Sequence, residues 1–384
     1  MRISLTPGHR DHTPYRRMLA VAASASLALS IASCNVGAHG QEPALTSLSS
    51  QSVEDLKQGA SAQELHDASL RTLPTKAGKL FISTSYSTGT ATKKPDVDVT
   101  RIVSRDPSTD QFQWAVSIKP SAADRQIPNS ISDSKHGYDR TASQSHAGDM
   151  IVSPDGRHLS LVLTPDESQK RGVPATDRHT HVIVLDTQTG KAVRTAKVSG
   201  VILGQALTNS ALAVETAQNY FPAGSGKGTI TTFSLTDTSA QPSSFPTDKW
   251  LVGAPRENLM LAPEPFSDNC SYGCSMMTVT LINADGSTAG SISGVTAVHP
   301  GGWIHRVADP KSDEQQLVNP SIKKTIDITG KSTYERDVPT GPGLLVEQKS
   351  PDGKGSTESK PAFWLSSSDD GHPHTENLEQ FENH

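Results

Sequence analysis

The spacing that first suggests chemistry is "DRHTH", which sets His179 and His181 one residue apart. In an extended strand the side chains at i and i+2 share a side, so two such histidines can hold a metal ion together. Solvent-facing histidines at a strand edge produce the same spacing and are the commoner case. Upstream, "HGYDRTASQSHAGD" gathers His136, Tyr138, Asp139, Arg140, His146 and Asp149, the richest polar cluster in the chain. It is a candidate binding surface, and a solvated connection between strands is its simpler explanation. "AGSGKGT" invites a phosphate-loop reading, but Phe221 stands where that pattern needs glycine and Gly228 where it needs Ser or Thr. The strand-like "TITTFSLTDT" follows where a helix N-terminus should face the phosphates, so the stretch reads as a hairpin loop. No Gly-x-Ser-x-Gly, His-Glu-x-x-His or EF-hand pattern occurs.

Three cysteines remain. Cys270 and Cys274 enclose only Ser-Tyr-Gly, while Cys34 stands alone behind an apolar run. That run, "MLAVAASASLALSI", follows Arg2, Arg10, Arg16 and Arg17 and precedes Ala32 and Ser33, which is the order of a secretory signal peptide. No stretch of 18 apolar residues free of polar interruption exists to span a membrane. An exported chain meets an oxidising compartment, so Cys270 and Cys274 are expected to pair locally. Closing so small a ring shapes the loop more than it stabilises the domain. A zinc site would need further ligands at suitable spacing, and none lies nearby.

"IASC" (Ile31 to Cys34) resembles the lipobox of bacterial lipoproteins. The resemblance implies that the Cys34 thiol receives a diacylglycerol, that cleavage precedes it, and that acyl chains such as palmitate anchor the protein. Each buried methylene contributes about 0.8 kcal/mol, so two or more chains hold stably. The expected location is the outward side of the bacterial cell membrane. "YRRMLA" looks more weakly like a twin-arginine export signal. Losing residues 1–33 removes four arginines and Asp11 and takes the formal charge from −5 to −8. An acidic surface suits neither nucleic acid nor anionic headgroups, so the membrane contact falls to the lipid.

The elements that must position any site are short strands. Charged residues are 20% of the chain and aromatics 5%, with 29 Gly and 25 Pro, a loop-rich composition. Residues 34–65 read as the lipidated cysteine and a flexible tether, in which "SVEDLKQGASAQELHDA" forms at most a weak helix capped by Ser52. From about residue 66 strands dominate. "DMIVSPDGRHLSLVLT" and "HTHVIVLDTQTGKAVRTAKVSG" read as four strands with tight turns at Pro154-Asp155-Gly156 and Thr189-Gly190. The unit recurs from near 201 and near 248, roughly 47 residues apart, and more faintly near 295 and 335. An earlier copy runs through "KLFISTS" and "DVTRIVSRDPSTDQFQWAVSI". Repeats of four strands over this length predict an all-β fold, a β-propeller of six to seven four-stranded blades spanning residues 66–370. A seventh blade would lie in residues 121–147 or be completed by the termini. Two stacked β-sandwiches are the structural alternative. Residues 371–384 read as a frayed polar tail.

"VSPDGRHL" and "VIVLDTQTGKAV" resemble the blade repeats of the WD40-like, YVTN and quinoprotein-type propellers. In each unit the loop after the second strand is long, which gathers length and chemistry on one rim as the binding face. The leading expectation is a lipid-anchored envelope propeller that binds or scaffolds an envelope protein or small molecule. The alternative is an exported enzyme, lactonase-like or quinoprotein-like, with a metal or cofactor at the central channel. The sequence names no cofactor. Aromatic residues in the long loops, Asn219-Tyr220-Phe221 with Phe266 or Tyr272, favour the binder.

Overall fold

The computed structural model describes residues 42–59, 69–85, 99–106, 109–122, 150–163, 179–217, 228–263, 276–309, 311, 314–348, 359–367 and 371–381. All belong to the unit Gly40–His384. The predicted cluster at His136, Tyr138, Asp139, His146 and Asp149 lies outside the described residues, as do Cys34, Cys270 and Cys274 and, apart from Ser121 and Ala122, the stretch 121–147 in which a seventh blade was sought.

The first sheet comprises β1 (Ala44–Leu48), β2 (Ser69–Pro74), β3 (Lys79–Ser85), β4 (Val99–Arg105) and β5 (Phe112–Lys119), in the order β1-β5-β4-β3-β2. The second is a simple meander of β6 (Ile151–Val152), β7 (His158–Val162), β8 (His179–Asp186) and β9 (Ala192–Ser199). The third repeats it with β10 (Val201–Leu207), β11 (Ala211–Ala217), β12 (Gly228–Ser234) and β13 (Ser243–Thr247). β14 (Trp250–Gly253), β15 (Leu259–Ala262), β16 (Met277–Ile282) and β17 (Thr288–His299) form the fourth. β17 then continues as the first strand of the fifth, with β18 (Trp303–Asp309), β19 (Glu314–Asn319) and β20 (Lys324–Asp327). The sixth holds β21 (Lys331–Val338), β22 (Gly341–Gln348) and β23 (Lys360–Ser366). Every pairing between these strands is antiparallel.

Local chemistry sets the repeat. In each of the first four sheets the turn after the third long strand carries an aspartate with Ser or Thr just beyond it. Asp106 Oδ1 accepts the Thr109 amide and hydroxyl, and Asp186 does the same for Thr189. Asp237 and Asp285 hold Ser239 and Ser287 in the same way, bonds that lower both carboxyls below the usual range. Such side chain–backbone bonds compete with strand pairing and reverse the chain. Gly190 completes its turn at φ 67°, and an added Cβ would press into the Trp114 ring of the neighbouring sheet. Gly294, at φ 72°, is where β17 turns from one sheet into the next. A Cβ there would collide with the Val307 carbonyl oxygen.

β8 shows why these strands are sequence runs rather than alternations. Six of its eight residues are buried, because apolar sheets cover both of its faces. On one side Ile183 and Leu185 join Leu80, Ile102, Leu159 and Leu161 between the first two sheets. On the other, Val182 and Val184 meet Leu212, Val214 and Phe233 of the third. Shared cores continue from third to fourth sheet (Ile230, Leu259), fourth to fifth (Met260, Ile304) and fifth to sixth (Leu317, Leu344). β2 of the first sheet approaches β22 of the last, and β10 lies beside both β6 and β14. Consecutive four-stranded antiparallel sheets packed face to face, first strands adjacent, are the blades of a β-propeller. The all-β, propeller expectation holds, with six sheets among the described residues.

Two expectations need correction. Residues 44–59, read as tether, are built in. β1 forms the outer edge of the first sheet, pairing Ala44 with Lys119 and Leu48 with Ala115. α1 (Ser50–Gly59) follows, and its cap is Ser49, whose Oγ accepts the Ser52 amide at 3.1 Å. Val53 of α1 is buried. The tail is not frayed through residue 381. His374 exchanges two 2.9 Å backbone bonds with Trp364 of β23, supplying the outer edge the three-stranded sixth sheet lacks. Leu378 and Phe381 then pack on Val338, Leu345 and Trp364.

Candidate functional site

The antiparallel meander gives the blades two unlike ends. At one end are the short turns, and hydrogen bonds tie them from blade to blade. The Lys76 amide donates to the Gly156 carbonyl at 3.2 Å, Asp155 N–H to Asn209 Oδ1 at 3.1 Å, and Asn209 N–H to the Arg256 carbonyl at 3.1 Å. Ser321 Oγ donates to the Pro255 carbonyl at 2.9 Å. Trp114 Nε1 and Thr232 Oγ1 reach the carbonyls of Thr187 and Ala284 in the next blade. Each is a neutral bond worth about 1 kcal/mol, and together they fasten this turn face.

The opposite end carries the longer connections. The stretches after β3, β7, β11, β15 and β22 all leave from it and lie, in whole or nearly so, outside the described residues.

His179 and His181 stand there, at the start of β8. His179 Nδ1 lies 3.0 Å from Ser199 Oγ. His181 is buried, and its Nε2 sits 3.5 Å from a Glu42 carboxylate oxygen without hydrogen-bond geometry. Burial lowers the His181 pKa, and Glu42 opposes that shift without cancelling it, so the ring is neutral at pH 7. Its backbone carbonyl accepts the Leu163 amide at 2.9 Å within the second blade, and the Ala122–Leu163 bridge joins Leu163 to the residue just beyond the first. Among the described residues no three His, Cys, Asp or Glu side chains are grouped to hold a metal ion.

A residue the sequence reading passed over sits two positions from the end of β11. Glu215 is fully buried between the third and fourth blades. Its Oε2 accepts the Leu251 amide of β14 at 2.8 Å, while Oε1 has no partner among the described residues. Gly204 pairs with it on β10 and Ile230 on β12, and two residues before Ile230 a Cβ on Gly228 would press to 2.8 Å from Oε1. A side chain at Gly228 would fill the space the carboxyl uses, and one at Gly204 would meet the Leu251 carbonyl oxygen at 2.9 Å. Burial pushes its pKa up to about 7, partly countered by the Leu251 bond. The available signal was an acid inside the apolar run "ALAVETA", in a strand too apolar to face solvent.

No protein-family model matches the sequence, and no curated protein matches it. Among solved structures it is similar to the β-propeller domain of the Trilobed protease from Pyrococcus furiosus, at 12% identity and TM-score 0.41, over 77% of this chain and 82% of that one. It is also similar to Pyrococcus horikoshii acylaminoacyl peptidase, at 12% identity and TM-score 0.41, over 74% of this chain and 44% of that one. The chain thus matches less than half the length of that peptidase. BamB from Moraxella catarrhalis is similar at 9% identity and TM-score 0.31, over 72% and 71% of the two chains. The propeller assignment rests on the strand order and shared cores, and these likenesses accompany it.

Proposed function

We propose that this is an exported, lipid-anchored propeller of the bacterial cell envelope that works as a binding module, with its ligand taken at the loop-bearing face. The supporting observation is the unequal use of the two ends. Among the described residues, hydrogen bonds tie the short turns from blade to blade on the turn face, and the strands that lead into the long connections, β3, β7, β11, β15 and β22, end at the other. A rigid scaffold that projects variable loops from one end is a recognition device. Residues 1–33 are the export signal in this reading, and Cys34 carries the lipid. The acidic mature chain points to an envelope protein or small molecule as ligand rather than nucleic acid.

The enzyme reading would draw on Glu215, since a carboxyl titrating near neutrality suits acid–base work. Its oxygens are sealed from solvent, however, and one is committed to the Leu251 amide, which makes it a packing element of the blade junction. Elemental analysis and absorption spectroscopy of the purified mature protein separate the two readings. The binder reading expects neither metal nor quinone at stoichiometric level. One equivalent of either per chain would overturn it in favour of a channel enzyme.

A further inference from the structure

The point where the chain enters the propeller has a consequence for how the molecule faces a membrane. β1 begins at Ala44 opposite Lys119, the last residue of β5, and runs antiparallel to it toward the turn face. Glu42 lies against His181, at the first turns of β8, where the connection from β7 arrives. Both contacts place the entry on the loop-bearing face. α1 confirms the direction of travel, because Glu54 meets Arg105 beside the β4–β5 turn at the other end.

Cys34 stands eight residues before Glu42. At ~3.5 Å per residue that stretch reaches at most about 28 Å. β5 alone, at eight residues, is about 26 Å tall. A molecule lying with its turn face on the bilayer would have to draw the whole tether taut along the flank of the first blade, leaving no slack for the turns that extend beyond the strand ends. The opposite pose costs the tether nothing.

We propose that the propeller stands with its loop-bearing face toward the bilayer, within about 28 Å of it, so that its ligand is presented from the membrane side or is small enough to enter the gap. This rests on lipidation of Cys34. A globular partner wider than the gap is excluded from that face while the tether is intact. The net charge of −8 after removal of residues 1–33 gives the face no general attraction to anionic headgroups, so the tether sets the pose.

Energy transfer to the membrane tests it with the acylated full-length mature chain in phosphatidylcholine vesicles carrying an acceptor-labelled lipid. In a background with Cys270 and Cys274 replaced by Ser, a donor dye is placed at Asp248→Cys or at Gln188→Cys. Asp248 is exposed on the loop-bearing face, after β13, and Gln188 is exposed on the turn face, in the β8–β9 turn. Transfer should be several-fold stronger from position 248, and a 20-residue Gly/Ser spacer inserted after residue 39 should erase the difference while the protein still floats with vesicles. Equal or reversed transfer in the vesicle-bound parent would overturn the orientation. Failure of the parent chain to float with vesicles would instead overturn the lipid reading beneath it.

Discussion

Glu215→Gln should make the protein more stable at pH 8 and leave it nearly unchanged at pH 4. Folding raises the Glu215 pKa from 4.5 to about 7. Below the lower value the acid is protonated in both states and costs nothing. As pH rises between the two values the unfolded chain ionises while the folded one resists, so stability falls. Above about 7 the loss is complete. A shift of this size amounts to about 3 kcal/mol, and the side chain's full burial leaves no solvent screening to discount. Glutamine keeps an acceptor for the Leu251 amide and cannot ionise. Urea unfolding of both proteins from pH 4 to 8 therefore should show the variant gaining on its parent by up to about 3 kcal/mol. Other titrations shift both proteins alike and cancel in the difference. Parallel pH profiles would show that Glu215 stays ionised in the fold.

The second large effect concerns the C-terminal segment. Ending the chain after Gly371 removes the His374 backbone pairing and the cover that Leu378 and Phe381 lay over Val338, Leu345 and Trp364. It also removes the Glu376 carbonyl that accepts Trp364 Nε1 at 3.0 Å and the His374 ring stacked 3.9 Å from the indole. Partial exposure of one Trp, one Leu and one Val, with two backbone bonds lost, costs on the order of 5 kcal/mol. The truncated protein should unfold at markedly lower urea and show red-shifted emission that a Trp364→Phe change abolishes. An unchanged midpoint would mean that the last blade needs no fourth edge.

The same segment shows where sequence reading reaches its limit. The middle blades were legible because their turns are written locally. Asp155-Gly156 and Thr189-Gly190 announce reversals, and β-branched runs lie between them. β1 and the C-terminal edge were not, because neither carries its own reason to be a strand. "ALTSL" is short and largely exposed, and its order comes from β5, more than sixty residues away. "HPHTENLEQFENH" offers only Leu378 and Phe381 as apolar anchors, and what they cover is set by the sixth sheet. Ser52 looked like a helix cap because an acid follows three residues later, yet Ser49 is the cap, one turn earlier. Long-range partners decide such segments, and periodicity carries no record of them.

The candidate site divides in the same way. His179 and His181 were visible as a pair, and their location at the loop-bearing end followed from the strand pattern. The partner each finds, Ser199 for His179 and Glu42 for His181, was not visible, and Glu42 lies more than a hundred residues away. Glu215 is the opposite case. Its burial needs Gly204, Gly228 and Leu251 from three other strands to meet around it.

The most direct test of the account is the chemical state of Cys34 in the protein recovered from a bacterial host. Mass spectrometry of the N-terminal peptide should find a chain that begins at Cys34 with a diacylglyceryl thioether. The protein should partition into detergent, and Cys34→Ala should move it to the aqueous phase. A mature chain with an unmodified Cys34, or a Cys34→Ala protein that still follows the detergent, would contradict the claim that lipid holds this propeller to the envelope.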